Sequence, residues 1–399
     1  MDIVIISQYL RDIENFNDNN SRFVYLAKLL AQNTDNEIEI VTSDFNHSTK
    51  THFAQVDELS RIKVTVLHEA GYSKNICLKR FASHRELAKN IDKYLKSRQK
   101  PDMCYCAIPS LDVADVVAQY CEQKNVRFIL DVQDLWPEAF KMVFHVPILS
   151  DLIFAPMQKK ANRIYRLADN IVAVSKTYAE RAISANGKCK TPIVVYLGTE
   201  KENFDNYAQS MIGKYDGITI GYVGSMSASY DLNSVIDAIS KIGNTSIKLL
   251  AIGDGVLKAS FMKYAKEKCV NAEFTGKLPY PQMVERLMLC DIAVNPIHKG
   301  SAGSIINKVG DYAMAGLPVV NTQECQEYRD LLDQYQAGIN CECENSDEIT
   351  AALTRLISDF KLRKEMSRNS RRLGKECFNR KNAYHKLVDT ILVCSRKDN

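Results

Sequence analysis

The sequence predicts two α/β units, each built on a doubly wound parallel sheet. Three observations carry this. The chain has 399 residues, the length of two ordinary domains. Short, continuously apolar runs alternate with helix-compatible stretches through the first half. The same alternation restarts at Thr219, after a polar interval. An apolar content of 46% and a charged content of 25% are those of a globular protein, enough to build a core in each half.

In the first half, Ile3–Ser7 (IVIIS) is the continuous apolar strand of a sheet covered on both faces. Gln8–Asn20 is polar and asparagine-rich, a loop. Ser21 is placed to cap a helix over Arg22–Gln32, whose apolar face is Phe23, Leu26, Ala27 and Leu30. Glu37–Ser43, Ile62–Leu67, Cys104–Ile108, Arg127–Leu130 and Asn170–Val174 are further strands, and Ile193–Tyr196 closes the half. Ligands of such sheets sit outside the carboxyl ends of the strands. That points to Asp131–Phe140 (DVQDLWPEAF), which sets Asp131, Gln133, Asp134 and Glu138 beside Trp136, the only tryptophan. A sugar ring wants carboxylates for its hydroxyls and an aromatic face for its C–H surface. A capped loop with Trp136 as a core anchor is the competing reading.

Tyr72–Lys100 carries nine Lys and Arg against two acids, interleaved with Ile76, Leu78, Phe81, Leu87, Ile91, Tyr94 and Leu95. A basic amphipathic helix of this kind suits an anionic membrane surface. A solvated helix packing its apolar side on the domain fits the same pattern. Lys159, Lys160, Arg163 and Arg166 form a second basic helix, placed to extend the patch.

Leu197–Lys214 is polar and reads as a linker. Thr219–Val223 is a strand followed by Gly224 and Ser225. Lys248–Ile252 ends in Gly253-Asp254-Gly255, a lone G-x-G without the full dinucleotide fingerprint. Ala272–Thr275 runs into Gly276-Lys277-Leu278-Pro279. Asp291–Asn295 is a buried strand, and a small-residue turn, Lys299–Gly303 (KGSAG), leads to a helix from about Ser304 to Met314. Ile305, Val309 and Tyr312 give its apolar period, and Gly316 and Pro318 stop it. Leu317–Val320 is the next strand. Strand, small-residue turn and helix start together suit a phosphate, because the first helical amides lack partners and carry the positive dipole end. Lys308 and Asp311 share a face of this helix. A lysine for a phosphate and an acid for a sugar hydroxyl are what a nucleotide-sugar pocket requires; an ordinary αβ unit with two solvated charges meets the same spacing. Asp347–Leu392 is helical and charged, and Lys381–Cys394 ends the chain with the apolar set Ala383, Leu387, Ile391 and Val393.

Other classes are disfavoured. A net charge of +4 gives no reason to expect nucleic acid. No H-x-x-x-H or C-x-x-C pair points to zinc, and the 12 cysteines read as reduced, mostly buried thiols. The N-terminus lacks a positive n-region, and no run reaches the roughly 18 apolar residues of a membrane span. A cytoplasmic protein is expected, peripheral on the inner membrane face if the basic helix docks there.

Asn307–Val320 (NKVGDYAMAGLPVV) resembles the donor-site segment of family 4 retaining glycosyltransferases of the bacterial capsule, O-antigen and exopolysaccharide type. Lys308, Asp311, Tyr312, Gly316, Pro318 and Val319 fill the pattern. Asp131–Glu138 resembles the D-x-x-D-L-W-P-E signature of the same group. The resemblance implies the GT-B fold, two Rossmann-like domains facing a cleft. The expected divisions are 1–198 for the acceptor, 199–215 as linker, 216–378 for the nucleotide-sugar, and 379–399 as a helix returning to the first domain. It implies transfer of a hexose or N-acetylhexosamine, with retention and without a metal cofactor, from a nucleotide-diphospho-sugar (a UDP-sugar for preference) to a glycan or undecaprenyl-diphosphate-linked acceptor. Asp134, Lys308 and Asp311 are the implied catalytic residues. Gly224, Ser225, Lys277, Leu278, Gly303, Ser304 and Asn307 join Lys308 and Asp311 around the donor; Gln133, Asp134, Trp136 and Glu138 meet the acceptor.

The chain also departs from the family pattern. Gly303 stands where the first of two glutamates is usual, Ser225 where an arginine is, and Asp231 near an expected lysine. Asn19, Asn20 and Ser21 replace a glycine pair in the first loop. The diphosphate is therefore expected to rest on the amides of Gly224 and Gly303–Ser304, with Lys308 as its cation and Lys299 as a helper. A nucleotide-sugar 2-epimerase of the same fold, and a non-catalytic partner subunit, are the alternatives.

Overall fold

Ile3, Val4, Ile5 and Ile6 are all fully buried, as a central parallel strand covered on both faces requires. The computed structural model describes residues 1–10, 13–14, 21–56, 59–75, 77–143, 147–209, 216–301 and 304–395. The chain forms two units, Met1–Val195 with Tyr384–Asn399, and Tyr196–Ala383.

The first unit runs β1 (Asp2–Ile6), α1 (Arg22–Leu30), β2 (Glu37–Ser43), β3 (Phe45–Asn46), β4 (Thr51–His52), β5 (Ile62–Leu67) and α2 (Leu78–Ser97). It continues with β6 (Met103–Ile108), α3 (Leu111–Lys124), β7 (Arg127–Val132), α4 (Glu138–Val143), α5 (Pro147–Leu167), β8 (Asn170–Ala173), α6 (Lys176–Ile183) and β9 (Ile193–Val194). Its parallel sheet has the order β5-β2-β1-β6-β7-β8-β9, so the strand order reverses between β1 and β6. β3 and β4 form a separate antiparallel hairpin.

The second unit runs α7 (Lys201–Ala208), β10 (Ile218–Val223), α8 (Leu232–Ile242), β11 (Ile247–Ile252), α9 (Lys258–Glu267), β12 (Ala272–Gly276) and α10 (Tyr280–Leu287). Then come β13 (Ile292–Asn295), α11 (Lys308–Met314), β14 (Val319–Asn321), α12 (Gln326–Tyr335), β15 (Gly338–Asn340), α13 (Ser346–Ser358) and α14 (Phe360–Cys377). The last helix, α15 (Arg380–Ser395), begins in this unit and ends in the first. The sheet order is β12-β11-β10-β13-β14-β15, all parallel, with its reversal between β10 and β13. Alternation fills both faces. Leu249 and Ala251 pack in one core cluster and Leu250 and Ile252 in the other. The expected doubly wound parallel architecture is present in both units.

Three expectations are corrected. The 199–215 stretch, expected as linker, contains α7, whose Phe204 is fully buried; its described part belongs to the second unit, where Thr199 N donates to Phe378 O at 2.7 Å. Asp131 lies inside β7, not beyond it, because the strand continues to Val132. The helix expected from Ser304 begins only at Lys308. Gln323 Nε2 donates to Ser304 O at 2.6 Å, so that carbonyl serves a side chain instead of starting a helical ladder. The other end of α11 is as read: Gly316 takes φ 68°, a left-handed stop, and Leu317 N returns to Tyr312 O at 3.0 Å.

Candidate functional site

The strand reversal of the second unit lies between β10 and β13, the place where doubly wound sheets hold ligands. α11 is fixed there by Tyr312. The Tyr312 hydroxyl accepts from Val223 N at 2.8 Å and donates to Val294 O at 3.2 Å, joining the two strands. Lys308, one helical turn earlier, is only 7% exposed. Its ammonium lies 4.2 Å from the Tyr222 ring centroid and 4.3 Å from that of Tyr230. It has no hydrogen-bond partner among the described residues. Burial alone pushes its pKa well below the usual lysine range. The aromatic faces offset part of the desolvation, on the order of 2 kcal/mol each for a cation held out of water.

Gly224 borders this ammonium: a Cβ there would lie 3.6 Å from Lys308 Nζ. Its amide, expected to face a diphosphate, donates instead to Ile252 O at 2.9 Å, so the strand-end ladder has used it. Ser225 is exposed, and its carbonyl accepts from the Tyr222 hydroxyl at 2.5 Å. Asp231, where a lysine was expected, caps α8 by accepting from Ser234 N at 3.1 Å. At Gly253 a Cβ would stand 1.9 Å from Gly224 O, so the two strand-end loops meet backbone to backbone.

Asp311 lies on the same helix. Its Oδ1 accepts from Thr199 Oγ1 at 2.7 Å and from the Tyr280 hydroxyl at 2.8 Å. Burial raises its pKa, opposed by those two hydroxyls and by Arg380. Asn307 is exposed at the helix start, Lys277 is exposed after β12, and Leu278 is half-buried against the core. Ser304 is half-buried, Lys299 is exposed, and Gly303 lies outside the described residues. Sequence reasoning missed Tyr222, Tyr230 and Tyr280. Tyr222 sits in an apolar strand that marks it as core, Tyr230 sits in loop sequence and Tyr280 at the start of α10, and only the fold turns them toward Lys308 and Asp311.

In the first unit the D-x-x-D-L-W-P-E stretch does not converge on one point. Asp131 is fully buried and pairs with Arg22, Nε to Oδ2 at 2.7 Å and Nη2 to Oδ1 at 3.2 Å. Tyr105 donates to the same carboxylate at 2.7 Å, and Gln133 Nε2 approaches it at 3.5 Å. That carboxylate is internal, so no sugar reaches it. Asp134 accepts from Trp136 Nε1 at 3.2 Å and from Leu135 N at 2.9 Å, and burial raises its pKa. Trp136 is 5% exposed, stacked on His84 at 5.9 Å with Arg80 4.7 Å from its ring centroid. The face expected to meet a sugar is covered, so the ring acts first as a core anchor. Its remaining surface helps line a groove of about 330 Å³ with His84, Phe154 and Lys160. Glu138 turns elsewhere and accepts from Arg181 Nε at 2.5 Å.

The basic stretch forms α2. Its buried side includes Leu87, Ile91 and Leu95, while Lys79, Arg85, Lys89, Lys93 and Lys96 are exposed and Leu78 is 86% exposed. Ile76 lies outside the described residues. Lys160 and Arg163, expected to extend the patch, pair instead with Asp112 and Asp115 of α3. No described helix is long and apolar enough to cross a membrane. All eleven cysteines with described side chains are free thiols, seven of them buried.

Residues 208–373 match the family model for glycosyl transferases group 1. This stretch contains α11 and the whole Lys308 site. Among curated relatives, the probable glycosyltransferase WbjE of Pseudomonas aeruginosa is 24% identical over 244 residues, 59% of this chain and 60% of the relative. An uncharacterized glycosyltransferase of Methanocaldococcus jannaschii is 26% identical over 226 residues, 55% of this chain and 57% of the relative. The chain thus spans a little under two thirds of the length of the curated relatives it matches. Among solved structures, sucrose-phosphate synthase from Thermosynechococcus elongatus superposes with a TM-score of 0.75 at 14% identity, over 100% of both chains. HepE of Anabaena in complex with UDP-glucose gives 0.66 at 15% identity, over 98% of this chain and 100% of its own. WaaG, a glycosyltransferase involved in lipopolysaccharide biosynthesis, gives 0.65 at 14% identity, over 98% and 99%. The fold is the GT-B fold, as the resemblance implied.

Proposed function

We propose that the protein is a glycosyltransferase that binds a nucleotide-diphospho-sugar at the β10/β13 strand reversal of the second unit. The observation that carries this is the buried Lys308 ammonium, which lies beside Gly224 and has no hydrogen-bond acceptor among the described residues. An isolated buried cation is costly, and an arriving anion satisfies it. Lys308 Nζ would bind the diphosphate and stabilise the negative charge that grows on it as the glycosidic bond breaks. Such electrostatic stabilisation is the main task in expelling a nucleoside diphosphate. Lys308 supplies the positive charge, and the proposal assigns no metal to the site. Asp311 Oδ1 is held by Thr199 and Tyr280, which leaves Oδ2 as the acceptor for ribose hydroxyls.

The finer reading is transfer of a hexose or N-acetylhexosamine from a UDP-sugar, with retention, to a glycan or undecaprenyl-diphosphate-linked acceptor in bacterial surface polysaccharide synthesis. The UDP-glucose held by HepE and the lipopolysaccharide role of WaaG support it by similarity of fold. Asp134 remains the carboxylate assigned to the acceptor, with Gln133 beside it. The exposed lysines of α2, with Leu78 at its start, support contact with an anionic membrane face.

Thermal stabilisation against UDP, GDP, ADP, CMP and their sugars tests the reading, since a ligand of the folded state raises the melting temperature. One diphosphate series should stabilise the wild type and fail with Lys308→Ala. No shift with any nucleotide would sink the enzyme reading and favour a partner subunit.

A further inference from the structure

The first unit gathers Asp44, His52 and His68 from three separate places: the junction of β2 and β3, the end of β4, and the residue after β5. His68 Nδ1 lies 2.8 Å from Asp44 Oδ2, and His52 Nε2 lies 3.8 Å from Asp44 Oδ1. The two imidazole rings are stacked, with centroids 5.5 Å apart and planes 18° apart. One donor atom from each residue lies within 4.8 Å of the others. His52 Nε2 is also 2.7 Å from Glu69 O.

We propose that Asp44, His52 and His68 bind one divalent transition-metal ion of the zinc type, which pins the β3–β4 hairpin to the end of β5. Two imidazoles and a carboxylate are a zinc donor set, whereas magnesium and calcium prefer oxygen alone. Bonds of about 2.1 Å place neighbouring donors around a tetrahedral ion roughly 3.4 Å apart. The 2.8 Å approach to Asp44 Oδ2 and the 3.8 Å approach to Oδ1 lie on either side of that value, and the donor atoms of the set all lie within 4.8 Å of one another. Small side-chain adjustments bring the set onto one centre.

The backbone presets this arrangement. Asp44 N donates to Leu67 O at 3.0 Å, Phe53 N donates to Asp44 O at 2.9 Å, and Glu69 N donates to Asp44 Oδ1 at 2.9 Å. Asn90 Nδ2 holds the His68 carbonyl at 2.8 Å. A plain Asp44–His68 ion pair would need only one ring. The second ring brings Nε2 within 3.8 Å of the same carboxylate. The consequence is structural. β3 and β4 are two residues each, a hairpin with little stability of its own, and metal-binding free energy would add directly to its folding. The spacing rules could not find this site: His52 and His68 are sixteen positions apart and meet only through the tertiary fold.

The test uses the untagged full-length chain, stripped with chelator and titrated with zinc chloride by calorimetry. Wild type should bind one zinc per chain, and zinc should raise its melting temperature. His52→Ala and His68→Ala should each bind at least about tenfold more weakly and lose the shift. Magnesium chloride should give no binding. If metal-free His52→Ala melts early, His68→Ala, whose side chain is 61% exposed, carries the comparison. Absence of stoichiometric zinc binding in the wild type overturns the proposal. So does wild-type affinity in the histidine variants, which would place the ion on cysteines.

Discussion

Lys308 Nζ lies 4.2 Å from the Tyr222 ring centroid and has no hydrogen-bond acceptor among the described residues. A lysine held against an aromatic face, out of water and without an anion, is a site waiting for negative charge. If that charge is the leaving diphosphate, Lys308→Ala lowers kcat by about 10²–10³, the loss typical of removing one preorganised stabiliser. Initial rates at saturating donor check this.

The same burial makes Lys308 a liability to the free protein. Its pKa in the folded chain lies below the unfolded value of 10.5. Between those two values the unfolded chain holds the extra proton, so stability rises with pH across that window. Below the folded pKa the full penalty is present. Lys308→Met, which fills the space without a charge, is expected to raise the melting temperature at neutral pH and to flatten this alkaline rise. Melting curves from about pH 7 to 10 read both effects.

Asp311→Asn keeps an oxygen for Thr199 and Tyr280 and so keeps the packing of α11. What it loses is a charged acceptor for the ribose. Donor KM is expected to rise about tenfold, with kcat and melting temperature little changed. A large fall in melting temperature would instead make Asp311 structural.

Arg22 and Asp131 form a buried bidentate pair, with Arg22 Nη1 also donating to Val195 O at 2.9 Å and the Tyr384 hydroxyl at 3.2 Å. Removing one partner strands the other's charge. Asp131→Ala is expected to cost about 3–5 kcal/mol, and Arg22→Met with Asp131→Leu to recover much of it. Thermal melting of the three proteins decides this, and an unchanged single variant would contradict it.

Gly253→Ala forces a methyl onto Gly224 O, 1.9 Å away, at the edge of the Lys308 site. Loss of nucleotide-induced stabilisation is expected. Gly187→Ala, where a methyl meets nothing within 4 Å, is the control and should behave as wild type.

These residues also show how far the sequence could be read. The strand-helix alternation gave the architecture of both units, because buried parallel strands are continuous apolar runs that need no tertiary knowledge to see. Lys308 and Asp311 were legible because helical spacing alone puts them on one face. Tyr222 was not, since a tyrosine in an apolar strand looks like core, and Tyr230 was not, since a tyrosine in a serine-rich turn carries no spacing that ties it to a lysine 78 positions on. Asp131 was misplaced because a charged residue normally ends a buried strand, and only Arg22, 109 positions away, explains one inside it. The Ser304 helix start failed for a similar reason: a side chain from Gln323 took the carbonyl that the ladder needed.

The most direct measurement is calorimetric titration of the protein with UDP, and with whichever other diphosphate stabilises it, in two buffers of different ionisation heat. An anion arriving at Lys308 raises its lowered pKa, so binding draws in a proton. The account predicts proton uptake at alkaline pH in the wild type, and weakened binding without uptake in Lys308→Met. Binding of equal strength in both proteins, with no proton taken up by either, would contradict it.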